Sequence, residues 1–380
     1  MLDIIIAGGG PVGSALALGL RDSGLKIALL EARNAGTATD DDGRTIALSH
    51  GSRLILDRLG VWPALAATVT PIRHITVSQQ RAFGRVNLEA SECGVPALGY
   101  VVNYAVLQRT LAAALAAAGV QVMAGQTVQE VGRDADHAYA ITATGEQLAA
   151  RLIAIADGGT QLKMSHVKIR DYRQSALVCD VKSEQAHQDR AFERFTPEGP
   201  LALLPICGGW SLVWTMRPER AAALAALDDA GFCTRLQDEF GAALGAFSAT
   251  GRRGVFPLAL RYATRPVAAR TVLIGNAAQM LHPVAGQGFN LGLRDAWELA
   301  RAVSAHAGED PGASILLNSY FSQRRFDRIA TILFTDSLIR LFCKDIPLLG
   351  GMRGLALGAL EILPGARNFL ARRMMFGARG

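Results

Sequence analysis

The residues best placed to do chemistry stand near the two ends of the chain. Early on, Gly8-Gly9-Gly10-Pro11-Val12-Gly13 fits G-x-G-x-x-G, and Glu31 follows about 20 residues later. In such a pattern Gly8 permits a sharp turn, Gly10 lets the backbone approach a pyrophosphate, and Gly13 lets a helix pack closely on a strand. The helix N-terminus then faces phosphate charge, and a carboxylate such as Glu31 accepts hydrogen bonds from adenosine ribose hydroxyls. Late in the chain, Gly275-Asn276 precedes His282-Pro283-Val284-Ala285-Gly286-Gln287-Gly288-Phe289-Asn290. Glycines again stand just before a helix, so backbone N–H groups converge on something anionic. A reduced flavin, negative at N1–C2=O, suits such a helix N-terminus.

These loops need elements to hold them. Ile4–Ala7 reads as a buried strand, Ser14–Leu20 as a helix and Lys26–Leu30 as a second strand, which makes the first loop part of a βαβ unit. Ile46–Leu59 predicts a helix ended by Gly60. Alternation from Ile72 to Ala97 predicts strands of a different sheet. Tyr104–Ala118 predicts a helix, Val120–Met123 a strand, and Tyr139–Thr144 with Gln147–Ala156 a hairpin reaching Asp157-Gly158. Strands dominate again from 172 to 262, with one helix around Ala221–Gly245. Thr271–Ile274 is a buried strand, Leu291–Ala305 a helix, and the remainder is helical. The expected class is α/β. A Rossmann-like FAD-binding domain (1–71, 98–171 and 263–330) is interrupted by a mostly antiparallel β-sheet substrate domain (72–97 and 172–262), with a helical C-terminal region (331–380). A cofactor touching loops so far apart in sequence is long, with ADP at one end and a redox ring at the other, which favours FAD over NAD. A simple NAD dehydrogenase would complete its six-stranded sheet sooner and bring a catalytic His, Lys or Tyr.

Composition narrows the function classes. Half of the 380 residues are hydrophobic and 19% are charged, which excludes a disordered chain. The net charge is +6, and +4 of it lies in residues 331–380, beside Leu348, Leu349, Met352, Leu355, Leu357, Met374, Met375 and Phe376. Basic plus apolar suits a helix lying on an anionic bilayer, and equally a helical lid packed on the FAD-binding domain. No DNA-reading motif or aromatic-interleaved basic stripe is present, so nucleic acid is not an expected partner. The cysteines Cys93, Cys179, Cys207, Cys233 and Cys343 form an odd set without C-x-x-C spacing, so buried reduced thiols are expected rather than disulfides or zinc. The seven histidines have no ligand spacing, and no metal is expected. With no basic leader and no run of about 20 apolar residues, the expected location is cytoplasmic, at the inner membrane surface if the tail meets lipid.

Three signatures, Gly8–Gly13, Asp157-Gly158 and Gly275-Asn276 followed by His282–Asp295, resemble those of the group A flavoprotein aromatic hydroxylases, of which para-hydroxybenzoate hydroxylase is the structural prototype. His282–Asp295 is also similar to the signature of the ubiquinone-biosynthesis hydroxylases. That likeness extends through Asp42–Leu48, Leu59–Trp62, Phe192–Thr196 and Gly199–Ala202, over essentially the whole chain. The resemblance implies an FAD-dependent monooxygenase, reduced by NAD(P)H, that uses O2 through a flavin C4a-hydroperoxide to hydroxylate a polyprenyl phenol. The expected position is C1 of a 2-polyprenyl-6-methoxyphenol, and other ubiquinone-biosynthesis proteins are implied as partners. It further implies that Gly8, Gly10, Gly13 and Glu31 hold the ADP half, and that Arg44 lies along the pyrophosphate or ribityl side. Asp157 and Gly158 would support the pyrophosphate and nicotinamide-nucleotide use, and Gly275 and Asn276 would meet the ribityl chain. Gly286, Gly288, Phe289 and Asn290 would present backbone groups to the ring, with Pro283 beside the substrate. Two departures stand out. Asn276 replaces the usual Asp, and Gln161 and Met164 replace the usual Ser and Arg, which leaves the choice between NADH and NADPH open.

Weaker candidates carry two readings each. His282 is either the base that activates the phenol or a loop-shaping residue before proline. Phe195, Pro205 and Trp214 either line an apolar ring pocket or belong to the sheet core. A sibling hydroxylase acting at another ring position and a flavin-dependent isoprenoid reductase are the rival activities. A halogenase would carry W-x-W-x-I-P, which Trp210–Trp214 does not match. A flavin-binding scaffold without catalysis is disfavoured by the two intact glycine loops.

Overall fold

Four apolar residues in a row can be buried on both faces only inside a parallel sheet covered on both sides, and Ile4–Ala7 occupy that place in the computed structural model. The structure describes residues 1–34, 43–80, 83–134, 136–159, 166–249, 251–342 and 347–377. Strand β1 (Leu2–Ala7) runs through the glycine turn into helix α1 (Pro11–Gly19), and β2 (Ile27–Glu31) returns parallel to β1 with Ala28 opposite Ile5. Pro11 stands at the start of α1, where its missing N–H costs nothing.

Strand β3 (Thr45–Ser49) and helix α2 (His50–Arg58) occupy the stretch expected to be one helix. Ile46, Ala47 and Leu48 pair antiparallel with Val102, Val101 and Tyr100, so long-range pairing overrides local helix preference there. Ser49 then caps α2 by accepting from Ser52 N at 3.2 Å. Helix α3 (Tyr104–Ala117) precedes β4 (Gln121–Ala124), β5 (Gln147–Ile155) and β6 (Thr271–Leu273). The parallel order β6-β5-β1-β2-β4 is the Rossmann-like core, with the meander Val128–Arg133 and Ala138–Thr142 attached to β5.

The second sheet is mostly antiparallel. From one edge it runs Gln279–Met280, Gly254–Ala263, Val167–Ser183, Gly209–Met216, Pro200–Ile206, Arg190–Phe195, His74–Gln79 and Arg85–Glu89, with one parallel pair between the sixth and seventh. Leu177, Leu201, Leu203, Leu212 and Trp214 point to one face and build a core with Phe232 and Leu236. The single helix expected around 221–245 is two, Pro218–Ala225 and Asp229–Phe240. The break comes at Asp228, whose carboxylate caps the second by accepting from Gly231 N at 2.8 Å.

Four helices complete the chain: α4 (Gln287–Ala305), α5 (Ser314–Phe342), α6 (Pro347–Ile362) and α7 (Pro364–Phe376). Helix α4 begins at Gln287 rather than Leu291, because Gly286 in the left-handed region (φ +59°) turns the chain into it. The expected boundary at residue 330 falls within α5. Of the described cysteines only Cys179 is buried. Cys207 is exposed in the turn between two strands, and Cys93 and Cys233 are half-buried. Cys343 lies outside the described residues. Among the described residues no helix is long and apolar enough to cross a membrane.

Candidate functional site

The first glycine loop is built at the top of β1. Gly8 takes φ +116°, and a Cβ there would meet the Ala156 carbonyl oxygen at 2.5 Å, so only glycine fits. A Cβ on Gly13 would overlap the Gly8 carbonyl oxygen, and that close approach packs α1 onto the turn. Gly10 differs, because a Cβ there has nothing within 4 Å. The α1 N-terminus carries no side-chain cap, leaving first-turn N–H groups directed at the open space beside Gly10. Burial alone would raise the Glu31 pKa, but the Arg33 guanidinium and backbone N–H bonds outweigh it and hold the carboxyl low. Arg33 donates to Glu31 Oε1 from Nε at 3.1 Å and to Oε2 from Nη2 at 3.0 Å. Glu31 is thus an anion beside Gly9.

The second loop converges on the same region. Gly275 lies 3.1 Å from Val12 measured from an ideal Cβ, and its N–H donates to Asp295 Oδ2 at 3.4 Å. Asn276 is exposed and lines the main cavity. Asp157 Oδ1 accepts from Gly159 N at 2.8 Å, and a Cβ on Gly158 would meet open space. Gly288 is likewise open, and the α4 N-terminus has no side-chain cap. The Asn290 side chain is engaged in structural bonds, separate from the backbone groups expected to face the ring. Its Oδ1 accepts from Ser49 N at 2.8 Å and Ser52 Oγ at 2.6 Å, while Nδ2 donates to Ala47 O at 2.9 Å and Gly286 O at 2.7 Å. Three of these bonds tie α4 to β3 and α2, and the fourth closes onto the turn before α4. Two uncapped helix ends and a run of glycines bordering empty space fit a long, doubly anionic dinucleotide. Gln161, Met164 and Asp42 lie outside the described residues.

Between the two sheets and the C-terminal helices lies an apolar cavity of about 660 Å³. Arg44 opens onto it, its guanidinium 4.9 Å from the Tyr104 ring centroid and 5.9 Å from that of Phe256. Pro283, Gly286, Gly288 and Phe289 form the wall nearest the glycine loops. Val77, Phe195, Ala202, Leu204 and Val213 form the sheet wall, and Phe342, Leu357, Leu360 and Met374 the roof. Phe195 stacks on Phe342 with centroids 4.1 Å apart. Pro205 and Trp214 do not line this cavity. Side chains alternate along a strand, and Leu204 and Val213 take the cavity side. Pro205 and Trp214 therefore fall on the helix-covered face, where Trp214 packs on Phe232.

His282 lines the cavity with no residual exposure. Its Nδ1 accepts from Val284 N at 3.1 Å, and burial pushes its pKa down to about 3. A neutral ring accepting at Nδ1 carries its proton on Nε2, and that atom has no partner among the described residues. Sequence reasoning passed over Glu193, which lines the same cavity inside the Phe192–Thr196 stretch. It also passed over Asp295, whose buried carboxylate binds Gln279 and Arg324. Their only signal in sequence was membership of quoted motifs.

The helical tail is a roof. Asn87 N and Nδ2 donate to Glu361 at 2.8 and 3.0 Å, Arg367 Nη2 donates to Glu92 Oε1 at 2.7 Å, and the Phe376 ring meets His50 edge-on at 5.8 Å. The tail therefore packs on the substrate sheet and α2. Its outer surface stays apolar: Leu355, Ile362, Leu363 and Phe369 are all more than half exposed. The side chains of Leu348, Leu349 and Met352 lie outside the described residues.

This fold and cleft define an FAD-dependent monooxygenase, and the chain belongs to the FAD binding domain family, whose model matches residues 1–333. FAD is its cofactor, with NAD(P)H the co-substrate typical of the family. The chain is 35% identical to the ubiquinone hydroxylase UbiL of Rhodospirillum rubrum, over 98% of this chain and 89% of that protein. It is 34% identical to the 3-demethoxyubiquinol 3-hydroxylase of Escherichia coli, over 94% of each. Among solved structures, the p-nitrophenol 4-monooxygenase PnpA of Pseudomonas putida shares the fold, with a TM-score of 0.79 at 16% identity over 100% of this chain and 99% of that one.

Proposed function

We propose that this enzyme hydroxylates a polyprenyl phenol in ubiquinone biosynthesis, using NAD(P)H and O2, with C1 of a 2-polyprenyl-6-methoxyphenol as the ring position. The observation that carries the reading is the apolar cavity of about 660 Å³ bounded by the second glycine loop, the antiparallel sheet and the helical roof. Its apolar walls suit a hydrophobic aromatic ring and disfavour water beside the reacting atoms. Gly8, Gly10, Gly13 and Glu31 would hold the ADP half, Arg44, Asp157, Gly158, Gly275 and Asn276 the middle. Gly286, Gly288 and Phe289 would border the ring, with Pro283 against the substrate. FAD, when bound, supplies the redox chemistry of NAD(P)H oxidation and O2 activation.

The exposed Leu355, Ile362, Leu363 and Phe369, with the exposed Arg372 nearby, support contact between the roof and an anionic lipid surface where a polyprenyl substrate resides. Mass-spectrometric analysis of quinone intermediates in cells lacking the protein tests the function. Accumulation of 2-polyprenyl-6-methoxyphenol supports the C1 reading, and accumulation of a demethoxyquinol moves the reaction to another ring position. An unchanged quinone pool, or product formed without O2 uptake, overturns the hydroxylase reading in favour of a reductase or another substrate.

A further inference from the structure

Glu193 is a half-buried carboxyl on an otherwise apolar wall. It lies on strand Arg190–Phe195, in step with Ala191 and Phe195, and faces the apolar cavity. The residues opposite it on the flanking strands are Val77 and Ala202, neither of them titratable. One oxygen of its carboxyl is buried without a partner among the described residues. The backbone N–H of Ala285, a residue in the strained left-handed region (φ +58°) of the loop before α4, faces the carboxyl and favours its charged form. The other charged or titratable groups on the cavity wall are Arg44, His282 and Arg353. Arg44 lies over Tyr104 at the glycine-loop end, and Arg353 donates to the Phe342 carbonyl at 3.4 Å.

A buried carboxyl oxygen with nothing to bind is costly unless a ligand satisfies it. Nothing among the described residues donates to the free oxygen of Glu193, and the occupant that suits the walls is an apolar ring. We propose that Glu193 is the catalytic residue that takes the proton from the hydroxyl of the bound phenol. The phenol O–H bond breaks and a carboxyl O–H bond forms. The electron pair stays on the phenolate oxygen and enriches the ring carbons, and no electron is transferred. Burial pushes the Glu193 pKa up to about 7, which makes it a stronger base than an exposed carboxylate. The idle Nε2–H of His282 is a donor on the same wall, suited to an oxygen that is gaining charge.

This inference rests on the phenol-hydroxylase reading, and the test separates the two. The FAD-loaded enzyme is assayed for O2-dependent hydroxylation of 2-geranylphenol across pH. In the wild type turnover should fall as pH drops through about 7, where Glu193 takes up a proton and can no longer accept one from the phenol. Glu193→Gln should remove the acidic limb and lower kcat by about 10²-fold with KM little changed. Glu193→Asp should restore part of both signals. If Glu193→Gln loses FAD, Glu193→Asp decides: a displaced acidic limb supports the role and an unmoved limb overturns it. A wild type that binds and oxygenates the phenol while Glu193→Gln keeps the same pH profile and rate overturns the role alone. A wild type that neither binds nor oxygenates any prenylated phenol overturns both readings.

Discussion

Arg324 donates to Asp295 Oδ1 from Nε at 3.0 Å and from Nη2 at 2.8 Å, a two-point bond that locks α5 to α4. The other oxygen of Asp295 accepts from Gln279 Nε2 at 2.6 Å and from Gly275 N. Arg324 Nη1 and Arg294 Nε both donate to Asp327, at 2.8 and 2.9 Å. One carboxylate thus holds the second glycine loop, the helix that follows it and the helix that leads into the roof. All of these side chains are buried.

Removing one member of such a network strands buried charge. Asp295→Ala is expected to lower stability by about 3–5 kcal/mol and to release FAD more readily, because Gly275 loses its anchor. Denaturant unfolding of the FAD-loaded protein, with flavin fluorescence read in parallel, checks both.

Two glycines of the first loop should fail in different ways. Gly10→Leu places a side chain in open space where the pyrophosphate would run, so the protein should fold and be colourless. Gly13→Ala drives a Cβ into the Gly8 carbonyl and should lower stability itself. Visible absorbance and circular dichroism of the two variants distinguish the effects. A yellow Gly10→Leu protein would sink the cofactor assignment of that loop.

His282 should tie stability to pH. Its folded pKa of about 3 lies below the value of about 6.5 for an unfolded histidine. Between those values the unfolded chain binds a proton that the folded one refuses, so stability falls as pH falls, by about 1.4 kcal/mol per pH unit. His282→Gln should flatten the stability profile between pH 6.5 and 5. An unchanged slope would show that another group carries the effect.

The two faces of the antiparallel sheet should separate stability from substrate use. Trp214→Ala is expected to lose about 3–5 kcal/mol with KM for a prenylated phenol unchanged. Phe195→Ala, which removes a cavity wall stacked on Phe342, should raise KM. Steady-state kinetics with thermal unfolding on both variants decides.

Replacing the outward Ile362 and Phe369 by Glu should weaken co-sedimentation with anionic vesicles without lowering the melting temperature, because neither side chain is buried. Unchanged vesicle binding would remove the lipid contact.

The cofactor end was legible because its chemistry is local. Gly8 to Gly13 must follow one another for the turn, and four adjacent apolar residues state their own burial. The Ile46–Leu59 stretch misled because β3 exists only through pairing with Val101 and Val102, some 55 residues away. For Trp214 and Pro205 residue type leaves pocket and core both open, and strand register decides which face they occupy.

By itself the sequence determined the first glycine turn, the second glycine loop and the alternation of two sheet types, since each depends on spacing within a few residues. Only the tertiary structure decided that the tail roofs the substrate sheet and that Asn290 serves as a tie. It also brought Glu193 and His282 to one cavity with an idle atom each. Those relations join residues roughly 90 to 275 apart, and burial and hydrogen-bond satisfaction become defined only when the chain closes around them.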